Sequence, residues 1–313
     1  MVHLVTGAAG FVGSHVADTL LAAGHEVVGV DAFTPYYDRA TKEQNLVAAR
    51  DHDRFRFVEA DLRSDDLAPL LDGVDIVYHQ AAQPGVRLSW SDGFATYDAC
   101  NVLATQRLLE AALQAGVRRV VYASSSSVYG NADRYPVAEG DLPRPHSPYG
   151  VTKLAGEHLC GLYAANHGLE TLALRYFTVY GPRQRPDMAF HKLIEAAMAG
   201  DPFPLYGDGS HVRDFTYVGD VVRANVLAAD ADVAAGTVVN VCAGGSTRLS
   251  DVIDAVGDAV GSPVAVERHL EQPGDVQRTG GSNDAARRVL GWEPQTALAD
   301  GIAAQVAWHR SRR

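Results

Sequence analysis

Lysine is almost missing from this 313-residue chain: of 27 basic residues only Lys42, Lys153 and Lys192 are lysine, and arginine supplies the rest. Arginine stays charged and binds through a planar fork, whereas an ammonium has an adjustable pKa. A lysine kept against this bias therefore hints at a site that needs one. Cysteine is just as scarce. Cys100, Cys160 and Cys242 are scattered, odd in number and without a CxxC spacing. That pattern excludes a disulfide framework and a cysteine metal site, and fits three small apolar residues in a reducing cytoplasm. Long apolar runs are absent, because glycines at 7, 10 and 13 interrupt the first one; neither a signal peptide nor a membrane span is expected. Excess positive charge is missing too, and a formal charge of −11 gives no general attraction to nucleic acid or anionic lipid. The 12 histidines show no HxH or HExxH spacing, so no metal is expected.

What is present begins at once. The β-branched, apolar run Val2–Val5 leads through Thr6 into Gly7-x-x-Gly10-x-x-Gly13, and a helical pattern follows. This reads as a strand turning sharply into a helix, where glycines let the backbone approach a pyrophosphate and the helix N-terminus faces its charge. A second strand, His25–Val30, ends in Asp31, at the spacing where an acid binds the adenosine ribose. An acid there repels a 2′-phosphate, so the spacing predicts NAD rather than NADP. Further strand-like runs at Arg56–Val58, Ile76–His79, Arg119–Ala123 and Thr171–Arg175 alternate with helical patterns at 12–23, 99–115 and 149–167. Short apolar strands with helical crossovers predict an α/β fold, a doubly wound parallel sheet (Rossmann type) with ligands beyond the carboxyl ends of its strands. From about residue 180 onward Pro, Gly and Arg become frequent. Residues 1–180 are thus expected to form the dinucleotide-binding domain, and 181–313 mainly a smaller substrate-binding lobe.

The second informative stretch is Ser147-Pro-Tyr149-Gly-Val-Thr-Lys153. Pro148 suits a helix start, and Tyr149 and Lys153, four apart, lie on one helix face. A phenol with a pKa of about 10 is a poor base at neutral pH, but a neighbouring ammonium and a nicotinamide cation favour the phenolate. A tyrosine packed on the sheet beside a solvated lysine would show the same spacing. Two facts weigh against that plain alternative: the lysine is rare here, and a Ser124–Ser127 run stands at the mouth of the preceding strand.

Taken together, TGAAGFVGS, Asp31, Asp61-Leu62, the HxAA at His79–Ala82, SSSSVYG, YxxxK, RYFxVYGP at 175–182 and VRDFTYVGD at 212–220 resemble the extended short-chain dehydrogenase/reductases. Within them the chain is similar to the NAD-dependent nucleotide-sugar epimerase/dehydratase branch, over essentially its whole length. Tyr36-Tyr37-Asp38 and the Gly181–Phe190 segment (GPRQRPDMAF) bring it nearest to UDP-glucuronate 4-epimerases. The resemblance implies that Gly7, Gly10, Phe11, Val12 and Gly13 hold the pyrophosphate, Asp31 the adenosine ribose, and Asp61 with Leu62 the adenine. It also implies that Ala81, Ala82 and Tyr176 line the tightly held NAD, that Tyr149 is the acid/base, and that Lys153 lowers its pKa and binds the nicotinamide ribose. Ser125 falls at the catalytic Ser/Thr. For the UDP-sugar it implies Ser126, Ser127, Thr178, Arg185, Ala189, Phe190 and Tyr206, with Arg213 on the diphosphate and Asp275 on a ribose. Gln272 stands where many UDP-glucose epimerases carry an arginine, a role that Arg278 would take over. A homodimer through the helices near 99–115 and 149–167 is implied as well, although their apolar stripes (Val102, Leu108, Leu109, Leu113; Leu154, Leu159, Leu162) equally suit sheet-facing core.

Dehydratases of this branch carry an Asp-Glu pair after the catalytic Ser/Thr, and sugar-acid decarboxylases tend to carry a glutamate there. Here Ser126 and Ser127 stand in those places, which leaves oxidation and re-reduction of one carbon, C4, through a transient ketone. A hexuronate carboxylate in a closed site needs a cation, and Arg185 offers one. Arg185 is equally read as a surface arginine or a diphosphate ligand. UDP-glucose or UDP-N-acetylglucosamine remains the alternative substrate, and a non-catalytic dinucleotide sensor, which would not need Tyr149 and Lys153, the alternative class.

Overall fold

The fold follows from the alternation of short apolar strands with amphipathic helices. A computed structural model of the protein describes residues 1–270 and 276–313. Strands β1 (Val2–Thr6), β2 (Glu26–Asp31), β3 (Phe55–Glu59), β4 (Ile76–His79), β5 (Arg119–Ser125) and β6 (Glu170–Tyr176) form one parallel sheet. A seventh strand, Thr237–Val241, completes it in the order seventh–β6–β5–β4–β1–β2–β3. The strand order reverses between β1 and β4, which opens a crevice at their carboxyl ends. The central strands are buried on both faces, so they read as continuous apolar runs rather than alternating ones.

One face of the sheet packs on α1 (Phe11–Ala22) and the helix Val218–Asp230, around Val5, Val16, Leu20, Val121 and Val221. The other face packs on the helices Ala104–Ala115 and Pro148–His167, around Leu4, Val77, Leu108, Tyr122 and Cys160. The chain therefore returns to the seven-stranded sheet and its helical layers after residue 180. The Val218 helix and the seventh strand belong to the sheet layers, while Ala189–Ala199, Leu249–Val260 and Leu298–Arg310 build the smaller lobe around Phe190, Ile194, Val252 and Ile302.

Of the two helical stripes set down for a dimer, Leu108 and Leu109 are 1% exposed and belong to the sheet core, because that side of the helix faces β4 and β5. Leu113 and Leu159 pack against the same core, and Leu154 against a cluster around Val128 and Phe177. Leu162 is exposed, as are Val151 on the same helix and Leu103 in the helical segment Ala99–Leu103 just before Ala104–Ala115. Among the described residues no helix is long and apolar enough to cross a membrane.

Candidate active site

The crevice beyond β1 and β4 is a single cavity that the motif residues line together. Gly7, Gly10, Phe11, Val12 and Gly13 form its floor, Asp31, Asp61 and Leu62 one end, and Ala81, Ala82, Tyr149, Lys153, Tyr176 and Arg185 the other. The glycines are required by space. Gly7 has φ +66°, and a Cβ there would lie 2.8 Å from the Ala81 nitrogen; a Cβ on Gly13 would lie 2.2 Å from the Gly7 carbonyl oxygen. The result is a bare backbone cradle opening on the N-terminus of α1, the surface a pyrophosphate fits.

Asp31 closes the first of these ends. Its carboxylate accepts from the Phe33 N–H at 2.8 Å and from the Ala9 N–H at 3.2 Å, and the Lys42 ammonium stands 3.8 Å away. Burial pushes the Asp31 carboxyl above its ordinary value, against the pull of Lys42 and the two N–H groups. The Asp61 carboxylate is gripped by Arg63 at 2.6–3.0 Å and held below the usual range by those bonds. The cavity thus offers an open glycine turn that can take phosphates and, at one end, an acid that can accept from hydroxyls.

At the other end the helix Pro148–His167 begins where the sequence indicates. The Ser147 hydroxyl caps it by accepting from the Gly150 N–H at 3.1 Å, and Pro148 occupies its first turn. This sets Tyr149 in the cavity wall, edge-on to Tyr97 at 6.2 Å between ring centroids. Burial raises the phenol pKa; the Ser125 hydroxyl bonded to it and the charge of Arg185 pull it back down. Lys153 is buried and donates to the Ala123 carbonyl at 2.8 Å, with burial lowering its pKa to about 8. The ammonium is thus tied to β5, and the Arg185 guanidinium adds a positive charge that favours the phenolate.

Beneath the pair lies a buried network that spacing alone did not reveal. Arg175 on β6 grips Glu157 of the Pro148–His167 helix at 2.7 and 2.8 Å, and the Ser124 hydroxyl donates to the same carboxylate. Arg175 also donates to the Tyr129 hydroxyl at 2.7 Å. A buried pair is costly unless every lone pair is met, and here it locks the helix onto β5, through Ser124, and β6, through Arg175. His79 is structural: it bridges Thr6 and Thr105 at 2.8 and 3.0 Å, and burial lowers its pKa to about 3.

The residues assigned to the sugar nucleotide separate. Arg185 is drawn into the cavity, its side chain 17% exposed. Ser126 and Ser127 sit half-buried in the short turn after β5, and Thr178 begins the small strand Thr178–Tyr180. Arg213 and Arg278 lie close to each other, on or beside the strand pair Val212–Arg213 and Thr247–Arg248. The Arg213 guanidinium donates to the Val212 carbonyl at 2.9 Å, and Arg278 lies over the Tyr135 ring. Tyr206 is covered by Arg87 at 4.6 Å. Ala189 is exposed at the start of its helix. The Phe190 side chain is 1% exposed, stacked on Tyr180 and edge-on to Phe215, in the hydrophobic core of the lobe. Asp275 and Gln272 lie outside the described residues.

Lys42, Arg63, Tyr36 and Tyr37 are among the cavity residues that were given no role from the sequence. The signal for Lys42 was there, since it is one of only three lysines. Nothing in the spacing distinguishes Arg63 from a surface arginine.

Residues 3–242 match the NAD dependent epimerase/dehydratase family. The chain belongs to this family. Its cofactor is NAD. Among its relatives are a Bacillus subtilis protein named an uncharacterized UDP-glucose epimerase, YtcB (42% identical, covering 97% of this chain and 96% of that one). A UDP-glucose 4-epimerase of Mycolicibacterium smegmatis is also 42% identical, over 99% and 98%. Among solved structures, the UDP-glucuronic acid 4-epimerase of Bacillus cereus, in complex with UDP-glucuronic acid and NAD, superimposes on this family member with a TM-score of 0.96 at 40% identity, covering 100% of both chains.

Proposed function

We propose that this protein is an NAD-dependent UDP-sugar 4-epimerase, and that its substrate is UDP-glucuronate, converted reversibly to UDP-galacturonate. Tyr149 accepts the C4 hydroxyl proton, with the Ser125 hydroxyl bonded to the same phenol. NAD, when bound, supplies the hydride acceptor and donor. The resulting 4-ketone turns over and Tyr149 returns the proton from the same position. Ser126 and Ser127 offer neither acid nor base for removing the C6 substituent, so the reaction ends where it began in redox terms.

The observation that carries the choice of sugar is Arg185. It is a largely covered guanidinium in the wall that holds Tyr149, close enough to act on the phenol. A neutral hexose gives that charge nothing to bind, whereas a C5 carboxylate does. Holding that carboxylate also keeps its bond out of line with the ketone, which suppresses loss of carbon dioxide from a β-keto acid. The second reading is UDP-glucose, favoured by the names of the two relatives at 42% identity.

The deciding experiment compares Arg185→Ala on the two sugars. Losing a charge-assisted hydrogen bond to a buried carboxylate costs about 2–5 kcal/mol, so kcat/KM for UDP-glucuronate falls about 30-fold or more. UDP-glucose turnover falls much less, and pentose products appear from the sugar acid. A wild-type preference for UDP-glucose, or an equal loss on both sugars, returns Arg185 to a diphosphate or structural role.

A further inference from the structure

Arg185 does not stand alone. Its Nε and Nη2 donate side-on to Asp187 at 2.9 and 3.0 Å, and the Tyr36 hydroxyl donates to the same carboxylate at 3.2 Å. The guanidinium also lies over the Tyr36 ring, 5.8 Å from its centroid. Tyr36 in turn fits against Gly85, where a Cβ would lie 2.6 Å from its hydroxyl. These contacts form an arm that reaches Arg185 from the loop after β2 and from its own loop.

At first sight Asp187 opposes the proposed function, because it already neutralises the cation meant for a sugar acid. Geometry answers this. A guanidinium has five N–H donors, and a side-on pair uses one on Nε and one on Nη2. Three remain, and the edge between Nη1 and Nη2 can take a second carboxylate end-on. A side-on partner leaves that edge open and stops the side chain from rotating. Of the two effects of Asp187, the opposing charge is the weaker. Its side chain is 35% exposed against 17% for Arg185, so solvent screens its charge more than it loosens its grip. Burial pushes the Asp187 carboxyl up, but Arg185 and Tyr36 together keep it below the ordinary value, so it remains an acceptor at neutral pH.

Resting on the reading that Arg185 meets the hexuronate carboxylate, we propose that Asp187, steadied by Tyr36, is the positioning residue that aims Arg185 at the sugar and sets the preference for acidic over neutral UDP-hexoses. It touches neither substrate nor cofactor; it acts through Arg185.

The test measures kcat and KM for UDP-glucuronate and UDP-glucose with the NAD-loaded wild-type protein and with Asp187→Asn, Tyr36→Phe and Arg185→Ala. Asp187→Asn keeps the size but replaces one acceptor by a donor, so the fork is released. The ratio of kcat/KM for the acidic over the neutral sugar falls about 10-fold, carried by KM, as expected for a lost bidentate charge-assisted pair. Tyr36→Phe moves the ratio the same way by a smaller factor and stands in if Asp187→Asn does not fold. If Asp187→Asn raises the ratio, Asp187 is a competitor for Arg185 and the proposal is wrong. An equal loss on both sugars makes Asp187 merely structural and also overturns it. A collapse of the ratio in Arg185→Ala with none in Asp187→Asn or Tyr36→Phe overturns this inference alone. An unchanged ratio in Arg185→Ala overturns the glucuronate reading, and this inference with it.

Discussion

His3, the second residue of β1, gives the sharpest test of how burial sets charge in this fold. It is 1% exposed, and neither ring nitrogen has a hydrogen-bond partner. Burial first, then the neighbouring charges of His25 and the N-terminus, lower its pKa from 6.5 to about 4. The sign follows from proton linkage. With a depressed folded pKa, the imidazole is neutral in the fold, and the unfolded chain takes up a proton that the fold refuses. The stability associated with His3 is therefore complete above pH 6.5 and drains away as pH falls towards 4. A tenfold change in proton concentration is worth about 1.4 kcal/mol for a group bound in one state only, which gives about 2 kcal/mol lost at pH 5 and about 3 kcal/mol at pH 4. His15 and His79, lowered to about 4 and about 3, act in the same direction, while Asp214, raised to about 6, acts in the opposite one, so the whole-protein curve does not isolate His3. A leucine at position 3 does, because it fills similar space and binds no proton. Urea titrations of wild type and His3→Leu at pH 7.5, 6 and 5 are expected to show the variant gaining on the parent by about 2 kcal/mol between the first and last pH. A gap that does not move with pH would refute both the neutral state of His3 and its isolation from water.

Further outcomes are expected. Tyr149→Phe removes the titrating oxygen and keeps the ring against Tyr97, so turnover falls by about 10²–10⁴-fold while UDP-sugar binding, read by calorimetry, persists; activity within a few-fold of the parent would remove Tyr149 from the acid/base role. Denaturing the purified protein releases nearly stoichiometric dinucleotide without a 2′-phosphate, as the buried Asp31 requires; recovery of NADP alone contradicts it. The exposed Leu103, Val151 and Leu162 predict a homodimer across these two helices, which light scattering at micromolar concentration checks, a monomer mass counting against it.

Much of this molecule was legible in its residues. Strand positions could be read because β-branched runs end in residues with specific work, glycines after β1 and an acid after β2, and local chemistry does not depend on the rest of the fold. The helix at Pro148 could be read for the same reason, from its cap, its proline and the four-residue spacing of Tyr149 and Lys153. The return of the chain to the sheet after residue 180 could not. Thr237–Val241 is an ordinary apolar run, and its place beside β6 is settled by which edge is free after the other strands have paired. Phe190 shows the same limit from the other side, since a motif position says nothing about whether its side chain points to ligand or core.

The sequence by itself determined the parts whose chemistry is carried by neighbours in the chain: the glycine turn, the acid at the end of β2, the serine run, and the tyrosine and lysine on one helix face. Tertiary structure alone decided the electrostatics, because a pKa answers to distance and burial rather than to spacing. It tied Lys153 to Ala123, brought Arg185 to bear on Tyr149, and gathered Asp187 and Tyr36, 151 residues apart, around one guanidinium.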